Sequence, residues 1–475
     1  MNKKNSLIKN TLILGLGKVS TQIVSLLLLP LYTSYLSNSD YGFIDLVVTY
    51  ALLLAPIISL QLESAVFRFL IESRNLPERI SQIITSSFMS VLNRSILSSA
   101  AVLFISLIYP IKMLPLIMLL VFTTIFSNLF LQIARGLGKN KQFAIASIIS
   151  GLVTVIMNVL FIVYLKLGVP GIILSLIIAN ITRCIYILLS LKIYRYIKPV
   201  YKSKMVTADI IKYSLPLIPN GVSSWLMDVS DRTIISVMLG LAASGIYAIA
   251  NKFSIIFNGF FYVFNLSWSE SASLHEKGVG FAKYCSDVIN SATTFFASLG
   301  LIMISFMPFM FPLLVGDNFN DAYNYIPFLL VGAFFNSVSG QYGSIYVAKK
   351  QSKSLMKTTV YSVVINLVIN FALIKLIDIY AAAISTMVAY LAIAIFRHFD
   401  VKKYVDIRYK KSLLLKIVCS YSFAIIAYYI NDFYVNILSA FFITVIVIYL
   451  NKSIIKVMKK KVLDLKSNRY KKLTA

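Results

Sequence analysis

Charge is what this chain has least of. Only 13% of its 475 residues are Asp, Glu, Lys or Arg, about half the share found in an ordinary soluble domain. Acids are scarcest, 18 against 45 Lys and Arg. Histidine occurs twice, as His275 and His398. Both fall at expected helix ends, far apart in sequence, which excludes a histidine metal cluster and leaves no Ser-His-acid or Cys-His arrangement to argue. Cys184, Cys285 and Cys419 stand at unrelated spacings. They form neither a metal motif nor a disulfide framework and read as packing residues. A P-loop is missing too. GLGKVS around Lys18 and GLGKNK around Lys139 lack the upstream glycine and the Ser or Thr after lysine. No nucleotide site is expected, and enzyme chemistry has little support.

Apolar residues fill the space that charge leaves. Hydrophobic residues make up 59% of the chain, and the mean hydropathy is +0.82. Runs long enough to span a bilayer, about 20 residues each, recur from end to end. Alternating polarity, the mark of a membrane β-barrel, is absent. The fold class expected is therefore an all-α polytopic membrane protein. Hydropathy places fourteen spans near residues 11–36, 44–67, 82–109, 113–134, 143–165, 170–191, 211–239, 244–269, 286–313, 324–347, 356–376, 378–397, 412–430 and 433–451. The first run is too long for the apolar core of a signal peptide, and no small-residue cleavage site follows it. It is read as the first span.

The net charge of +27 follows topology. When a cation within five residues of a span's end is counted with the adjoining loop, 37 of the 45 Lys and Arg fall on the side of the two termini and alternate loops, three on the other side, and five deeper within spans. That asymmetry is the positive-inside rule, so both termini are expected in the cytoplasm. The charge is topogenic, with anionic membrane lipids as natural contacts. No nucleic-acid-binding motif accompanies it, and no nucleic-acid partner is expected.

The chain repeats itself. LIKNTLILGLGKVSTQIVS from Leu7 aligns without a gap on IIKYSLPLIPNGVSSWLMD from Ile210, which carries Gly42 onto Gly245. MNVLFI at Met157 matches INFALI at Ile369. The expected organisation is two six-helix lobes, residues 1–205 and 206–405, with two further spans and a basic tail in 406–475. Six is even, so both lobes enter from the cytoplasm as parallel repeats. Repeats of this kind often rock around a central site.

Ionisable groups inside spans are costly and mark function by default. Five cations qualify: Lys18, Arg94, Arg183, Arg232 and Lys252. Asp228 and Asp231 accompany them. At about 100° per residue, Lys18 shares a stripe with Gln22, Ser25 and Tyr32. Arg94 shares one with Ser87, Ser90 and Ser98, and Arg183 with Asn180, Tyr186 and Ser190. Asp228, Asp231 and Arg232 share one with Gly221 and Ser224. Several helices with one polar face each imply a shared wet interior. Its net positive sign suits a phosphate-bearing substrate, which Arg grips with two bonds and Lys meets as a point charge. Structural readings stand beside this one. Asp228 and Arg232 are four apart and can pair on one helix. Arg183 can pin helices through carbonyl groups. Lys18 and Lys252 can snorkel toward the nearer interface. Arg68 and Glu72 read as an interfacial pair.

With these residues in view, the chain resembles the polysaccharide transporter family: the O-antigen repeat-unit flippases, or Wzx-type proteins, of the multidrug/oligosaccharidyl-lipid/polysaccharide exporter (MOP) superfamily. LPLYTSYLSNSDYG, Leu29 to Gly42, looks like that family's end of span 1 and acid-Tyr-Gly turn. DRTIISVMLGLAASGIYAIANK, Asp231 to Lys252, is similar to its Asp-Arg…Leu-Gly…Gly-x-Tyr-x-x-Ala-x-Lys run. ESAVFRF at Glu63, RGLGKNKQF at Arg135 and LGVPGIILSLIIAN at Leu167 are weaker echoes. The resemblance implies alternating access that moves an undecaprenyl-pyrophosphate-linked oligosaccharide to the outer leaflet of a bacterial plasma membrane. It puts Arg232 and Lys252 on motif positions, while Lys18, Arg94 and Arg183 rest on helical geometry alone. Lipid II flippases share the implied fold and cationic cavity. Drug/cation antiporters of the superfamily predict an acidic cavity. A polymerase or ligase for the same glycans needs a large outer loop, and none is present; assembly with polysaccharide polymerase machinery stays open. No cofactor is expected. Coupling to a proton or sodium gradient would fall to Asp228 or Asp231, with Glu63 and Glu270 as alternatives.

Overall fold

The computed structural model describes residues 24–110, 112–276, 278–408 and 411–452, with residues 22 and 456 besides; within these, the side chains of 219–228, 352 and 411 are not described. Lys18 therefore lies outside the described residues, as does the Asp228 side chain. The described residues are helical and contain no strand.

The helices are α1 (Leu29–Tyr35), α2 (Asn38–Ile58), α3 (Leu62–Glu72), α4 (Pro77–Ser106), α5 (Leu114–Gly136), α6 (Asn140–Asn158) and α7 (Val169–Ser190). They continue with α8 (Lys204–Ser214), α9 (Leu217–Met238), α10 (Leu241–His275), α11 (Phe281–Leu314) and α12 (Ile326–Ala348). The last four are α13 (Ser352–Ile377), α14 (Ile379–Val401), α15 (Lys411–Ile430) and α16 (Phe433–Leu450). Proline, whose missing N–H costs nothing in a first turn, opens α4 as Pro77 and is the second residue of α7 and α12. Ser37 caps α2 by accepting from the Asp40 N–H at 3.1 Å. Asp432 caps α16 by accepting from the N–H groups of Tyr434 and Val435.

Eleven of the described helices are long and apolar enough to cross a membrane, and the chain is a multi-pass membrane protein. Besides the first expected span, part of which lies outside the described residues, two more fall outside that set although they are helical. Helix α9 has 22 residues and carries Asp228, Asp231 and Arg232. Helix α12 has 23 and buries Ser337, Ser339, Gln341 and Ser344. Each is about 33 Å long at 1.5 Å per residue, enough to span, so polarity alone sets them apart.

The structure changes several boundaries. The second expected span, 44–67, breaks after Ile58. Pro56 removes one helical donor, and Leu60 and Gln61 are left-handed at φ of 53° and 50°. The chain then restarts as α3, with Glu63 in its first turn. The segment before the seventh span is folded as well. Its helix α8 is capped by Ser203, which accepts from the Val206 N–H at 3.3 Å. It packs Tyr213 edge-on against Phe69, ring centroids 5.8 Å apart. Helices α10 and α11 run for 35 and 34 residues, about 50 Å each, well beyond a hydrocarbon core of about 30 Å. Arg68 and Glu72 pair at 2.8 Å on an exposed face, as their spacing suggests.

Two compact units divide the chain. The first takes the residues up to Lys252, with Val315–Asn320 and Val363–Ala382. Within it α7 packs along α5 and α6, and α3 along α5. The starts of α2 and α10 approach closely. A methyl on Gly42 would collide with the Leu241 carbonyl, and one on Gly245 with the Asn38 carbonyl. Small residues let helix backbones meet where no hydrophobic force drives association. The second unit holds the remaining residues. There α11 is central, packed by α12, α15 and α16. Tyr421 donates to the Ala297 carbonyl at 3.2 Å, and Asn451 to Ser298 Oγ at 2.7 Å.

Candidate substrate cleft

A cleft of about 280 Å³ opens within the first unit. Ser25, Leu28 and Tyr32 of the first helical segment line it, one helical turn apart. So do Tyr41, Asp45 and Val48 of α2, Ser150 and Thr154 of α6, Arg183 of α7 and Lys252 of α10. Ser25 and Tyr32 of one stripe and Arg183 of another line the same cleft; Asn180, Tyr186 and Ser190 do not.

Its charged groups are held in different ways. Arg232 Nε meets Asp45 Oδ2 at 2.7 Å, with both side chains under one-tenth exposed at 9% and 8%. Arg232 also donates to Thr49 Oγ1 at 3.2 Å. This ties α9 to α2 and leaves the Asp45 edge on the cleft wall. Taking two charges out of water is costly, and close contact with extra hydrogen bonds offsets that cost. Arg183 has no such acid. It donates to Ser127 Oγ at 3.0 Å and Ser150 Oγ at 2.7 Å, while its Nε is buried without a hydrogen-bond partner. Among the described residues no carboxylate lies within ion-pair distance of Arg183 or Lys252. Arg183 thus faces the cleft with hydroxyl partners alone, while Lys252 shares with Arg232 the field of Asp45, the one acid on the cleft wall. An anion entering here meets donors and meets no free acid.

The remaining sequence candidates lie elsewhere. Arg94 donates to Ser90 Oγ at 3.0 Å, one turn back on α4, and is not among the lining groups. Asp231 is 2% exposed. It accepts from Tyr247 Oη at 3.0 Å and from Asn370 Nδ2 at 2.8 Å. Asn370 Oδ1 is buried without a partner. Beside it Ser230 donates to Asn366 Oδ1 at 3.4 Å. Glu63 accepts from Ser59 Oγ at 2.8 Å across the break between α2 and α3. Glu270 borders a shallow groove in the second unit with Tyr262, Asn265, Ser269 and Ser273.

Sequence reasoning missed two residues. Asp45 lies three after Gly42 at the expected edge of a span and so passed for an interfacial acid; its four-residue spacing to Thr49 was the available signal. Arg397 was counted with the cytoplasmic cations. It is buried, 6% exposed, and donates to Thr358 Oγ1, Thr359 Oγ1 and the Ser339 carbonyl at 3.0 Å each. Nothing in the local sequence marks that enclosure.

The helical fold is shared with transporters of the MOP superfamily. The lipid II flippase MurJ in an inward closed conformation superposes with a TM-score of 0.66 at 16% identity, covering 94% of this chain and all of that one. A multidrug resistance MATE family transporter in an inward-facing conformation gives 0.63 at 15% identity, over 82% of this chain and 94% of that one. A MOP superfamily transporter from Pyrococcus furiosus, described by a binding pocket of reverse polarity that suggests a different function, gives 0.58 at 13% identity, over 83% and 96%. No curated protein matches the sequence significantly. Residues 7–268, more than half of the chain, match the family described as polysaccharide biosynthesis protein, and the chain belongs to that family.

Proposed function

We propose that the chain is a flippase for oligosaccharide repeat units linked to undecaprenyl pyrophosphate, acting in a bacterial plasma membrane in the synthesis of a surface polysaccharide such as O-antigen. The observation that carries this reading is the pair of cations Arg183 and Lys252 on one cleft, neither within ion-pair distance of a described carboxylate, in a member of a polysaccharide biosynthesis family. The pyrophosphate would meet the Arg183 guanidinium and the Lys252 ammonium and compete with Asp45 for Arg232. Charge-assisted bonds of this kind are worth about 1.5–3 kcal/mol each. Lobes 1–205 and 206–405 would alternate access, with 406–475 flanking them. Lys18 and Arg94 would meet the charged head group at other depths along its path. Gradient coupling would use Asp231, whose neighbour Asn370 Oδ1 offers a second buried oxygen to a proton or sodium ion, with Asp228 and Glu63 as alternatives. Mass spectrometry of lipid-linked sugars in a deletion strain tests the proposal. Repeat units should accumulate on the cytoplasmic leaflet, and normal export would sink it.

The likeness to the lipid II flippase over 94% of the chain supports a second reading, a cell-wall precursor as cargo. Growth of a lipid II flippase knockout carrying this gene would favour it. The antiporter reading has less support, since the acid on the cleft wall is engaged by Arg232.

A further inference from the structure

The cationic cleft accounts for a pyrophosphate and leaves the sugars without a partner. A second polar surface with opposite chemistry lies further along α10. Asn258, Tyr262, Asn265, Ser269 and Ser273 follow at steps of four, three, four and four residues, which sets them on one helical face. Glu270 adjoins them, and Tyr262, Asn265, Leu266, Ser269, Glu270 and Ser273 border one shallow groove.

Packing fixes this face outward. The adjoining face of α10, about 90° away, buries Phe257, Phe261, Trp268 and Ala272. Trp268 Nε1 donates to the Gln341 carbonyl at 2.9 Å, and Ser271 and Tyr284 share a hydroxyl bond of 2.6 Å. Helix α12 buttresses the amides: Asn336 Nδ2 donates to Asn258 Oδ1 at 3.1 Å, and Ser344 donates to Asn265 Oδ1 at 3.0 Å. Asn265 is held through its oxygen, so its amide hydrogens can turn to a ligand. Glu270 is partly buried and makes no hydrogen bond or ion pair with any described residue. Among the described residues no Lys or Arg lines the groove.

We propose that this groove binds the saccharide portion of the cargo, a reading that rests on the flippase proposal. Sugar hydroxyls both donate and accept. They match a carboxylate that only accepts, an amide that donates and hydroxyls that do either. Tyr262, 47% exposed, and Leu266, 37% exposed, offer apolar surface to the C–H face of a pyranose ring. A pyrophosphate only accepts and is repelled by Glu270, so it does not compete.

The full chain in lipid nanodiscs allows the test. The first probe is the saccharide released by mild acid from the source cell's own lipid-linked pool. The second is undecaprenyl pyrophosphate without sugar. Saturation-transfer NMR should show contact to the sugar ring protons, weakened about tenfold by Glu270→Gln or Asn265→Ala, the loss of one good hydrogen bond. Sugar-free carrier should bind these variants as it binds the parent and should lose affinity in Lys252→Ala. Matching thermal melts show that the variants fold. No saccharide contact in the parent, equal contact in both variants, or displacement of the saccharide by tetraphenylphosphonium would overturn the groove assignment. Saccharide contact without carrier binding leaves the groove in place and removes the flippase reading.

Discussion

Gly42 and Gly245 meet backbone to backbone. The offset of 203 residues that aligns them in the sequence also carries Asn38 onto Leu241, and the carbonyls facing the two glycines are those of Leu241 and Asn38. A Cβ on Gly42 would stand 2.8 Å from Gly245 N, and one on Gly245 would stand 3.0 Å from Gly42 N. The contact is locally two-fold, made by equivalent residues of the two repeats.

Alanine at either glycine should force α2 and α10 apart. Overpacking of this kind costs about 1–3 kcal/mol. Thermal melts in detergent should show both single variants destabilised. The double variant should fall short of the sum, because one displacement relieves both collisions. Strict additivity would mean that the two sites do not share a contact.

The Asp45–Arg232 pair predicts a split between stability and transport. Arg232→Ala strands a buried carboxylate and should cost about 3–5 kcal/mol. Arg232→Lys keeps the charge and should flip cargo better than Arg232→Ala. Asp45→Leu with Arg232→Met should recover most of the stability and none of the transport. Equal, full activity in Arg232→Ala and Arg232→Lys would take Arg232 out of the site.

Arg183 should behave differently. It has hydroxyl partners and no acid among the described residues, so Arg183→Leu removes an uncompensated charge. Stability should hold or rise while affinity for undecaprenyl pyrophosphate falls at least about tenfold, one charge-assisted bond. Calorimetry of the purified variants reads both quantities.

Asp231 bears on coupling. In vesicles with an imposed proton or sodium gradient, Asp231→Asn should abolish gradient-driven transport and spare downhill binding of the carrier. If Asp231→Asn and Asp228→Asn both transported at the parental rate, the coupling assignment would be wrong.

Much of this molecule is legible in its sequence, and the gaps have physical causes. Hydropathy found α4 to α7 and α10 to α16 with ends within about seven residues, because each must carry an apolar stretch long enough for the bilayer. It missed the break at Ser59–Gln61, since Pro56 lies in a run that stays apolar on both sides. Helical spacing found the stripe of Arg183. It could not find Asp45 as the partner of Arg232, because pairing across helices has no period to read. Nor could it separate Arg397 from the basic loop after it.

The sequence by itself determined the class of protein and the internal repeat. These follow from one-dimensional patterns that solvation by lipid enforces along the chain. Only the tertiary structure decided which cation is paired, Arg232 with Asp45, and which face the cleft without an ion-pair contact to a described carboxylate, Arg183 and Lys252. Coulomb energy depends on separation in space, and helices close in space here come from residues 45, 183, 232 and 252 of the chain.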